Sequence, residues 1–187
     1  MKILLINNNT VHLKQLTKAL TGHDIEIQKY QPGLDFHHHG KDLVILSGGG
    51  GEGLEIDDIS HQGKLWYEDE MSFVRSCPVP VIGICMGFEV MAKAYGQAVP
   101  NMNRHISATE VITMTEKGWQ MFDKHSVEQV ESHGWHVPEA PQGFEVLAQS
   151  EHGVEMMMAP NRLGAQFHPE LGGTLNIKNL VSALSHI

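Results

Sequence analysis

The first half of the chain alternates short apolar runs with segments that have helical spacing. Short apolar runs bounded by polar residues or glycines are typical of strands, and apolar residues three and four positions apart are typical of helices. The predicted strands are Lys2–Asn7, Asp24–Lys29, Asp42–Leu46 and Val79–Ile84, and the predicted helices are Val11–Leu20, Trp66–Arg75 and Met86–Tyr95. This alternation predicts parallel strands joined by crossover helices.

The second half has shorter strand-like runs, from about Ile106 onward. The predicted strands there are Ala108–Met114, Val127–Val130, Phe144–Ala148, Val154–Met158 and Leu163–Phe167, before a last helix near Thr174–Leu184. We expect these strands to pair antiparallel beside the parallel core. The whole pattern predicts the α/β class, as a three-layer sandwich with a mainly parallel central sheet plus a small antiparallel sheet. No repeat or linker interrupts it, so we expect a single domain over residues 1–187.

Composition narrows the function classes. The chain has 187 residues, 41% of them hydrophobic, and a formal net charge of −9. A negative charge without lysine or arginine clusters argues against nucleic-acid binding, so a small molecule or a protein is the expected partner. The first apolar run is too short for a signal peptide, and no stretch reaches membrane-spanning length. We therefore expect a soluble, cytoplasmic protein without membrane contact.

Two cysteines and a histidine triplet are the first candidates for disulfide or metal chemistry. Cys77 and Cys85 stand at either end of one predicted strand, which disfavours a disulfide between them and fits a reducing compartment. His37, His38 and His39 follow a predicted turn, and three consecutive side chains cannot point at one ion from a regular strand. We therefore predict a solvated loop at the triplet and no metal site.

Cys85 lies where a predicted strand turns into a predicted helix. In Gly83-Ile84-Cys85-Met86-Gly87, the glycines permit a strained backbone and the close approach of a substrate. A helix N-terminus directly after the thiol favours the thiolate. These features are typical of a nucleophile, although the same glycines also suit a tight turn around an inert cysteine.

A second cluster supplies a candidate base for this thiol. His168 and Glu170 stand two residues apart at a predicted strand end and should face the same side, so that the carboxylate can orient an imidazole that addresses Cys85. Taken singly, His168 could cap the strand and Glu170 could be solvated. The glycines of Ser47–Gly51 also follow a strand, as oxyanion and phosphate loops do, but the lysine of a Walker loop is missing, so a nucleotide role is not expected.

Together these motifs resemble the class I glutamine amidotransferases. That family has an oxyanion glycine loop, a Gly-x-Cys-x-Gly elbow and a C-terminal His-Pro-Glu, and all three occur here in that order. The chain is most similar to the amidotransferase subunit of GMP synthases, in segments that include Leu46–Gly49, Val81–Gly87, Met91–Gly96, Glu131–His133 and Gly143–Ala148. The resemblance covers essentially the whole chain and implies a flavodoxin-like fold.

The resemblance implies hydrolysis of the glutamine side-chain amide through a cysteine thioester. It implies a catalytic triad of Cys85, His168 and Glu170, and an oxyanion hole made by the backbone N–H groups of Gly49 and Met86. The residues expected to bind the substrate, L-glutamine, are Gly48, Gly50, Glu89 and Arg104. No metal or organic cofactor is implied. The released ammonia is expected to reach a separate synthetase, with a GMP-forming ATP pyrophosphatase as the candidate.

Position 89 departs from the family pattern. The family usually has Gln there, which helps to hold the substrate, whereas gamma-glutamyl hydrolases resemble this chain in having Cys-x-Gly-Phe-Glu. A carboxylate accepts hydrogen bonds but cannot donate them unless it is protonated. A gamma-glutamyl hydrolase acting on gamma-linked glutamyl compounds is therefore the alternative function. A non-catalytic domain that keeps the fold for protein interaction is a second alternative.

Three further departures concern the partner. Gly50 stands where proline is usual, Ser107 replaces a loop glycine, and Trp135 replaces the aspartate that follows Ser-His-Gly in the synthases. These differences argue against assuming a GMP-forming pyrophosphatase. Trp135 is open to two interpretations, an anchor at a protein interface or a core aromatic.

Overall fold

The chain folds around one large mixed sheet. A computed structural model describes residues 1–49 and 54–184. Within that part of the chain, the strands are β1 (Lys2–Asn7), β2 (Asp24–Lys29), β3 (Leu43–Leu46), β4 (Val81–Ile84), β5 (Asn101–Met114), β6 (Ser126–Trp135), β7 (Glu145–Ser150), β8 (Gly153–Ala159) and β9 (Arg162–Ala165). The helices are α1 (Leu13–Ala19), α2 (Glu68–Ser76), α3 (Met86–Ala94), α4 (Glu116–Phe122) and α5 (Ile177–Leu184), with a 3₁₀ turn at Pro169–Leu171.

One half of the sheet is parallel. Its strand order among the described residues is β2-β1-β3-β4-β9, a flavodoxin-like order. Successive residues of β1 face opposite ways. Ile3 and Leu5 pack in a core with α1 and α5, whereas Leu4 and Ile6 pack in a second core with α2 and α3. Helices therefore cover both faces, which confirms the predicted three-layer α/β class.

The other half is antiparallel and continues the same sheet. Strand β9 pairs in parallel with β4 on one side and antiparallel with β8 on the other, so that the order runs on as β9-β8-β7-β5-β6. The two-residue loop at 160–161, with Asn161 at φ 58°, returns β8 directly onto β9. The expectation of a separate small antiparallel sheet was wrong, because this hairpin joins both halves through backbone hydrogen bonds.

The predicted bounds of the strands are closest in the parallel half. There β1 and β2 have the predicted limits. Strands β5 and β6 extend well beyond their predicted limits, because the additional residues are mostly polar and do not show the apolar pattern of a strand. Helix α4 was not predicted, although Thr115 caps it by accepting a hydrogen bond from the N–H of Gly118 at 3.2 Å. Across residues 1–49 and 54–184, no helix has the length and apolar character needed to cross a membrane.

Candidate active site

Cys85 joins β4 to α3 in a strained backbone conformation. It has φ 48° and ψ −108°. A non-glycine residue in such a region costs about 1–3 kcal/mol and persists only when its surroundings hold it. Its N–H donates to the carbonyl of Ala165 at 2.8 Å, and its carbonyl accepts from the N–H of Glu89 at 3.0 Å. These bonds fix the thiol at the carboxyl edge of the parallel strands, where it is 7% exposed.

The two elbow glycines permit close packing and do not take up the strain. A Cβ on Gly83 would lie 2.5 Å from the carbonyl oxygen of Gly87, and a Cβ on Gly87 would lie 2.5 Å from that of Leu46. Neither glycine has a positive φ, whereas Cys85 does. Helix α3 therefore lies directly against β3 and β4, and the strain falls on the cysteine itself.

The glycine loop after β3 lies against the start of α3. A Cβ on Gly49 would be 2.6 Å from Met86 Cε, and a Cβ on Gly48 would be 3.1 Å from His168 Cε1 and 3.5 Å from Cys85 Cβ. Within the described residues, the N–H groups of Gly49 and Met86 donate to no acceptor. Gly49 and Met86 line the same cleft as Cys85, so their N–H groups are the candidates for receiving an oxyanion.

His168 is held by its backbone and by one ring nitrogen. Its N–H donates to the carbonyl of Val130 at 2.9 Å, and its Nδ1 lies 2.9 Å from Glu170 Oε1. Strand β9 ends at Ala165, so the carboxylate reaches the ring through the 3₁₀ turn that Pro169 begins. The predicted contact is present, but the predicted strand geometry is not. The other ring nitrogen, Nε2, is buried and has no partner in the described part of the chain.

Burial and charge act in opposite directions on this pair. Burial alone lowers the pKa of His168, but Cys85 and Glu170 outweigh it and raise that pKa to about 11. Burial raises the pKa of Cys85, and the positive charge of His168 opposes that effect. The raised pKa of His168 favours an imidazolium beside Cys85, and an adjacent positive charge is what stabilises a thiolate.

Cys85 and His168 share the wall of a cleft of about 570 Å³ with Glu89 and Arg104. The exposed Arg104 guanidinium has its Nη2 at 3.1 Å from His152 Nδ1. The structure therefore brings together the predicted triad, the two predicted oxyanion donors, and these two predicted binding residues. Gly48 lies behind the imidazole, as its approach to His168 shows. Gly50, the remaining predicted binding residue, lies outside the described residues.

The sequence profile of the family described as glutamine amidotransferase class-I matches residues 4–184. This chain belongs to that family. A glutamine-hydrolyzing GMP synthase subunit of Sulfolobus acidocaldarius is 33% identical to it over 137 residues, which are 71% of this chain and 69% of that protein. Both findings confirm the resemblance that the motifs indicate.

Other relatives of this amidotransferase differ from it in length. Anthranilate synthase component 2 of Archaeoglobus fulgidus is 33% identical over 101 residues, which are 54% of this chain and 57% of that protein. Glutamine-hydrolyzing GMP synthase of Brachyspira hyodysenteriae is 25% identical over 183 residues, which are 94% of this chain and 34% of that protein. The matched part is thus little more than half of the first relative and about a third of the second.

Two solved structures share the fold across 100% of this amidotransferase chain. A candidate GMP synthase subunit from Thermoplasma acidophilum has a TM-score of 0.79 at 19% identity, with 94% of that chain covered. A glutamine amidotransferase from Thermotoga maritima has a TM-score of 0.70 at 16% identity, with 83% of that chain covered. At these identities the likeness shows the fold.

Glu89, which departs from the usual amidotransferase sequence, is part of the buried cleft wall. It is 2% exposed, and its Oε1 accepts a hydrogen bond from Gln166 Nε2 at 2.9 Å. Burial raises its pKa, and the Gln166 hydrogen bond and His133 oppose the shift. The Gln166 amide therefore orients an acidic group that has replaced an amide in this cleft.

Sequence reasoning missed two groups next to Cys85 and His168. The His12 ring packs edge-on against the His168 ring, with 5.0 Å between centroids, and burial lowers its pKa. The Sγ of Cys85 donates to the carbonyl of Ser132 at 3.7 Å. The position of His12 shortly after β1 could have indicated that it lies near Cys85, because the carboxyl ends of parallel strands meet at one edge of the sheet. The Ser132 carbonyl is a backbone group and leaves no such signal.

Trp135 packs against the core that α2 and α3 share, yet it is not fully buried. It is half-buried, lines the cleft, and donates from Nε1 to Glu55 Oε2 at 2.5 Å. The indole that replaces the synthase aspartate therefore forms part of the entrance to the amidotransferase site.

Proposed function

We propose that this amidotransferase hydrolyses the side-chain amide of L-glutamine and releases ammonia. One arrangement carries the proposal: the strained Cys85 shares a cleft with the buried His168, whose Nδ1 is held by Glu170 at 2.9 Å. A nucleophile, a base and a group that orients the base are what acyl transfer through a thiol requires. A structural cysteine has no need of a strained backbone or of a buried imidazole and carboxylate beside it.

The first half-reaction forms a thioester. The Cys85 thiolate attacks the carboxamide carbon, and the developing negative charge on the amide oxygen is received by the N–H groups of Gly49 and Met86. His168 gives its proton to the amide nitrogen, the C–N bond breaks, and ammonia leaves. Glu170 keeps the imidazole in the orientation that this transfer needs. Losing one such oxyanion donor typically raises the barrier by about 3 kcal/mol.

The second half-reaction restores the enzyme. His168, now neutral, takes a proton from water as the water oxygen attacks the thioester carbon. The C–S bond breaks and the thiolate–imidazolium pair forms again. The product leaves with the second proton of the water on its new carboxyl group, which ionises in solvent to give glutamate. His168 carries the protons that move at the reacting atoms, so no cofactor is required by these steps.

The cleft residues suit the polar ends of glutamine. The Arg104 guanidinium can bind the α-carboxylate, because a planar cation pairs with a carboxylate through two hydrogen bonds. The carboxylate of Glu89 can accept from the α-ammonium or from the amide NH₂. Gly48, which lies against His168, is a candidate for contact with the bound glutamine. Gly50 remains a prediction from the sequence.

We further infer that residues 1–187 act as one amidotransferase domain that supplies ammonia to a separate synthetase polypeptide or domain. Relatives named GMP synthase support an ATP pyrophosphatase of the GMP-forming type as the acceptor. The cysteines support a reducing, cytoplasmic setting, because Cys77 and Cys85 are both free and buried.

A gamma-glutamyl hydrolase is the second candidate, and Glu89 is the observation that favours it. The carboxylate lies in the cleft wall where the family usually has an amide, and Gln166 already occupies its Oε1. A carboxylate at position 89 accepts hydrogen bonds where the amide of the usual Gln can also donate them, so the site holds the substrate differently. A gamma-glutamyl compound, in which the amide nitrogen carries a substituent, is therefore the alternative substrate.

Glutamate release separates these candidates. We would measure kcat/KM of the purified chain for L-glutamine and for gamma-glutamyl-p-nitroanilide, with Cys85→Ala as the inactive control and Glu89→Gln as the specificity variant. We expect glutamine to be the better substrate, Cys85→Ala to be inactive on both, and Glu89→Gln to change KM for glutamine more than kcat.

Two results would reject the proposal. A higher kcat/KM for the anilide would assign the chain to the hydrolase alternative. Failure to hydrolyse either compound, with the ATP pyrophosphatase subunit of a GMP synthase also present, would assign it to the non-catalytic alternative.

A further inference from the structure

Three buried ligand-type side chains meet outside the catalytic triad. They are Glu131 and His133 of β6 and Glu155 of β8, which are 1%, 3% and 1% exposed. One ligand atom from each lies within 4.8 Å of the corresponding atoms of the other two. Among the described residues, no other group of three histidine, cysteine or acidic side chains has its ligand atoms this close together.

The fold brings β6 to β8 although the two strands are not neighbours in the sheet. The edge strand β6 curls back toward the segment that follows β9, where His168 donates its N–H to the carbonyl of Val130 and Gly173 pairs with Gln129. Because β9 is itself paired with β8, this return closes the antiparallel half around its interior. Glu131 and His133, two residues apart on β6, face the same side of that strand.

The polar atoms of this cluster lack partners among the described residues. Both carboxylate oxygens of Glu131, Oε2 of Glu155 and Nε2 of His133 are buried without a hydrogen bond. His133 Nε2 and Glu131 Oε2 are 3.3 Å apart. A metal ion between these two atoms would give both of them a partner, and a buried polar atom without a partner is costly.

The remaining atoms of the same side chains are fixed by hydrogen bonds. His133 Nδ1 donates to the carbonyl of Trp135 at 2.6 Å, and this bond holds the ring with Nε2 on the side of Glu131. Glu155 Oε1 accepts from the Ser150 hydroxyl at 2.5 Å. Partners of this kind, which hold the far side of a histidine or carboxylate, are found around metal ligands and set their orientation.

Charge and access both suit a divalent cation. In the described part of the chain, no lysine or arginine forms an ion pair with Glu131 or Glu155. Burial raises the pKa of Glu131 to about 8 and that of Glu155 to about 7, and a bound cation would favour their charged forms. His133 also lines the cleft that contains Cys85, which gives an entry path from solvent.

We propose that Glu131, His133 and Glu155 form a binding site for a divalent transition-metal ion. One imidazole nitrogen and two carboxylate oxygens are a donor set that Zn²⁺ accepts in tetrahedral sites, with a fourth position left for water. The ion ties β6 to β8 and fixes Ser132, whose carbonyl accepts the Cys85 thiol. The ion takes no part in the triad chemistry. The sequence analysis did not predict this site, because it expected no metal.

Zinc binding by the full chain tests the site. We would use a Cys85→Ala background so that the catalytic thiol cannot bind the metal, and replace His37, His38 and His39 by asparagine to remove the surface triplet. After treatment with EDTA, the chain would be titrated with Zn²⁺ by calorimetry and with Co²⁺ by visible absorption. Glu131→Gln, His133→Gln and Glu155→Gln remove one ligand each. The matched control is Glu70→Gln, which alters a buried carboxylate that is paired with Asn8 at 3.1 Å and lies outside the cluster.

We expect about one Zn²⁺ per chain and a Co²⁺ spectrum of oxygen and nitrogen ligands without a thiolate band. Each ligand variant should weaken Zn²⁺ binding by about 100-fold or more, whereas Glu70→Gln should leave it unchanged. Circular dichroism of every variant would establish that the fold is kept, and Zn²⁺ should raise Tm of the chain that retains all three ligands.

The proposal is overturned if that chain binds no Zn²⁺ and shows no rise in Tm, since both measurements are made without any ligand variant. It is also overturned if binding survives the loss of each ligand in turn. Either result would mean that the buried carboxyl groups of Glu131 and Glu155 are stabilised by bound protons and not by a metal ion.

Discussion

The two halves of the sheet place their buried polar groups in different ways. In the parallel half, Cys85 follows the carboxyl end of β4 and His168 lies beyond the end of β9, where turns can aim side chains into a cleft. In the antiparallel half, Glu131, His133 and Glu155 lie within strands, in an interior that the curl of β6 closes.

That difference separates two kinds of chemistry. Side chains at strand ends can exchange protons with a substrate, because one side of each remains open to the cleft. Side chains within strands have fixed neighbours and little solvent, so charge there must be balanced by a proton or an ion that stays bound. The comparison teaches that the same sheet has polar side chains open to a cleft at one edge and polar side chains enclosed within its antiparallel half.

The largest expected effect is on Cys85. Cys85→Ala should reduce glutamine hydrolysis by at least about 1,000-fold, because the thioester can no longer form. The control is Cys77→Ala, which removes the other buried thiol from a residue of ordinary extended backbone, and it should retain activity. Ammonia release measured for both variants checks this. An equal loss of activity in Cys85→Ala and Cys77→Ala would contradict the assignment of the nucleophile to Cys85.

The second effect concerns Glu170 and the pH dependence. Glu170→Gln should lower kcat by about 100-fold, because the imidazole loses the carboxylate that orients it and stabilises its charge. The carboxylate helps to raise the pKa of His168 to about 11, so its removal lowers that pKa. The alkaline limb of the rate profile, which reports loss of the His168 proton, should therefore move to lower pH.

A pH profile of kcat for the wild-type chain and for Glu170→Gln measures that shift. Cys85, Glu89, His12 and Glu131 also face the pair or act on its charges, and they are unchanged in the variant. The Glu70→Gln chain serves as the control and should keep the wild-type profile. An alkaline limb that stays in place or moves upward in Glu170→Gln would contradict the account.

The third effect is on stability, and it compares a glycine of the parallel half with a glycine of the antiparallel half. Gly83→Ala should destabilise the fold by about 2 kcal/mol or more, because the new Cβ would lie 2.5 Å from the backbone carbonyl of Gly87. Gly134→Ala, in β6, should change stability by less than about 0.5 kcal/mol, since its nearest contact is 3.5 Å away and its backbone has no positive φ. Urea unfolding of both variants gives the comparison, and similar losses would show that the helix contact at the elbow is not tight.

The smallest effect concerns the buried charges and rests on the proposed metal site. In metal-free buffer, Glu131→Gln should stabilise the chain by about 1 kcal/mol, because it removes an unpartnered carboxylate from the interior. With Zn²⁺ the order should reverse, since only the wild-type chain gains binding energy. Thermal unfolding of both proteins in the two buffers measures this. The same order in both buffers would contradict the role given to Glu131.

The sequence predicted which residues meet at the cleft edge of the sheet, and it did so for a physical reason. Short apolar runs that are buried on both faces, such as β1 and β3, leave a strong pattern, and the residues after them are placed at one edge by the parallel order. Cys85, His168 and Glu170 therefore come together as their motifs indicate. What the pattern could not provide was the 3₁₀ turn at Pro169, because its geometry depends on local backbone angles.

The buried interior was harder to predict. Strands β5 and β6 are polar over much of their length, and their pairing depends on tertiary contacts. Glu131 and Glu155 are 24 positions apart, and nothing in either segment indicates that β6 curls toward β9 and brings them together. Charged residues within strands suggest exposure by default. The pairing of β9 with both β4 and β8, which also depends on tertiary contacts, made one sheet where the sequence pattern predicted two.

The central claim is that Cys85, activated by His168 and Glu170, attacks the glutamine side chain. Incubation with a glutamine-mimicking diazoketone, followed by intact-mass measurement and peptide mapping, tests it most directly. The account predicts one adduct per chain on Cys85, none in Cys85→Ala, and slower labelling in Glu170→Gln. Labelling at Cys77, or no adduct even with an ATP pyrophosphatase subunit present, would contradict it.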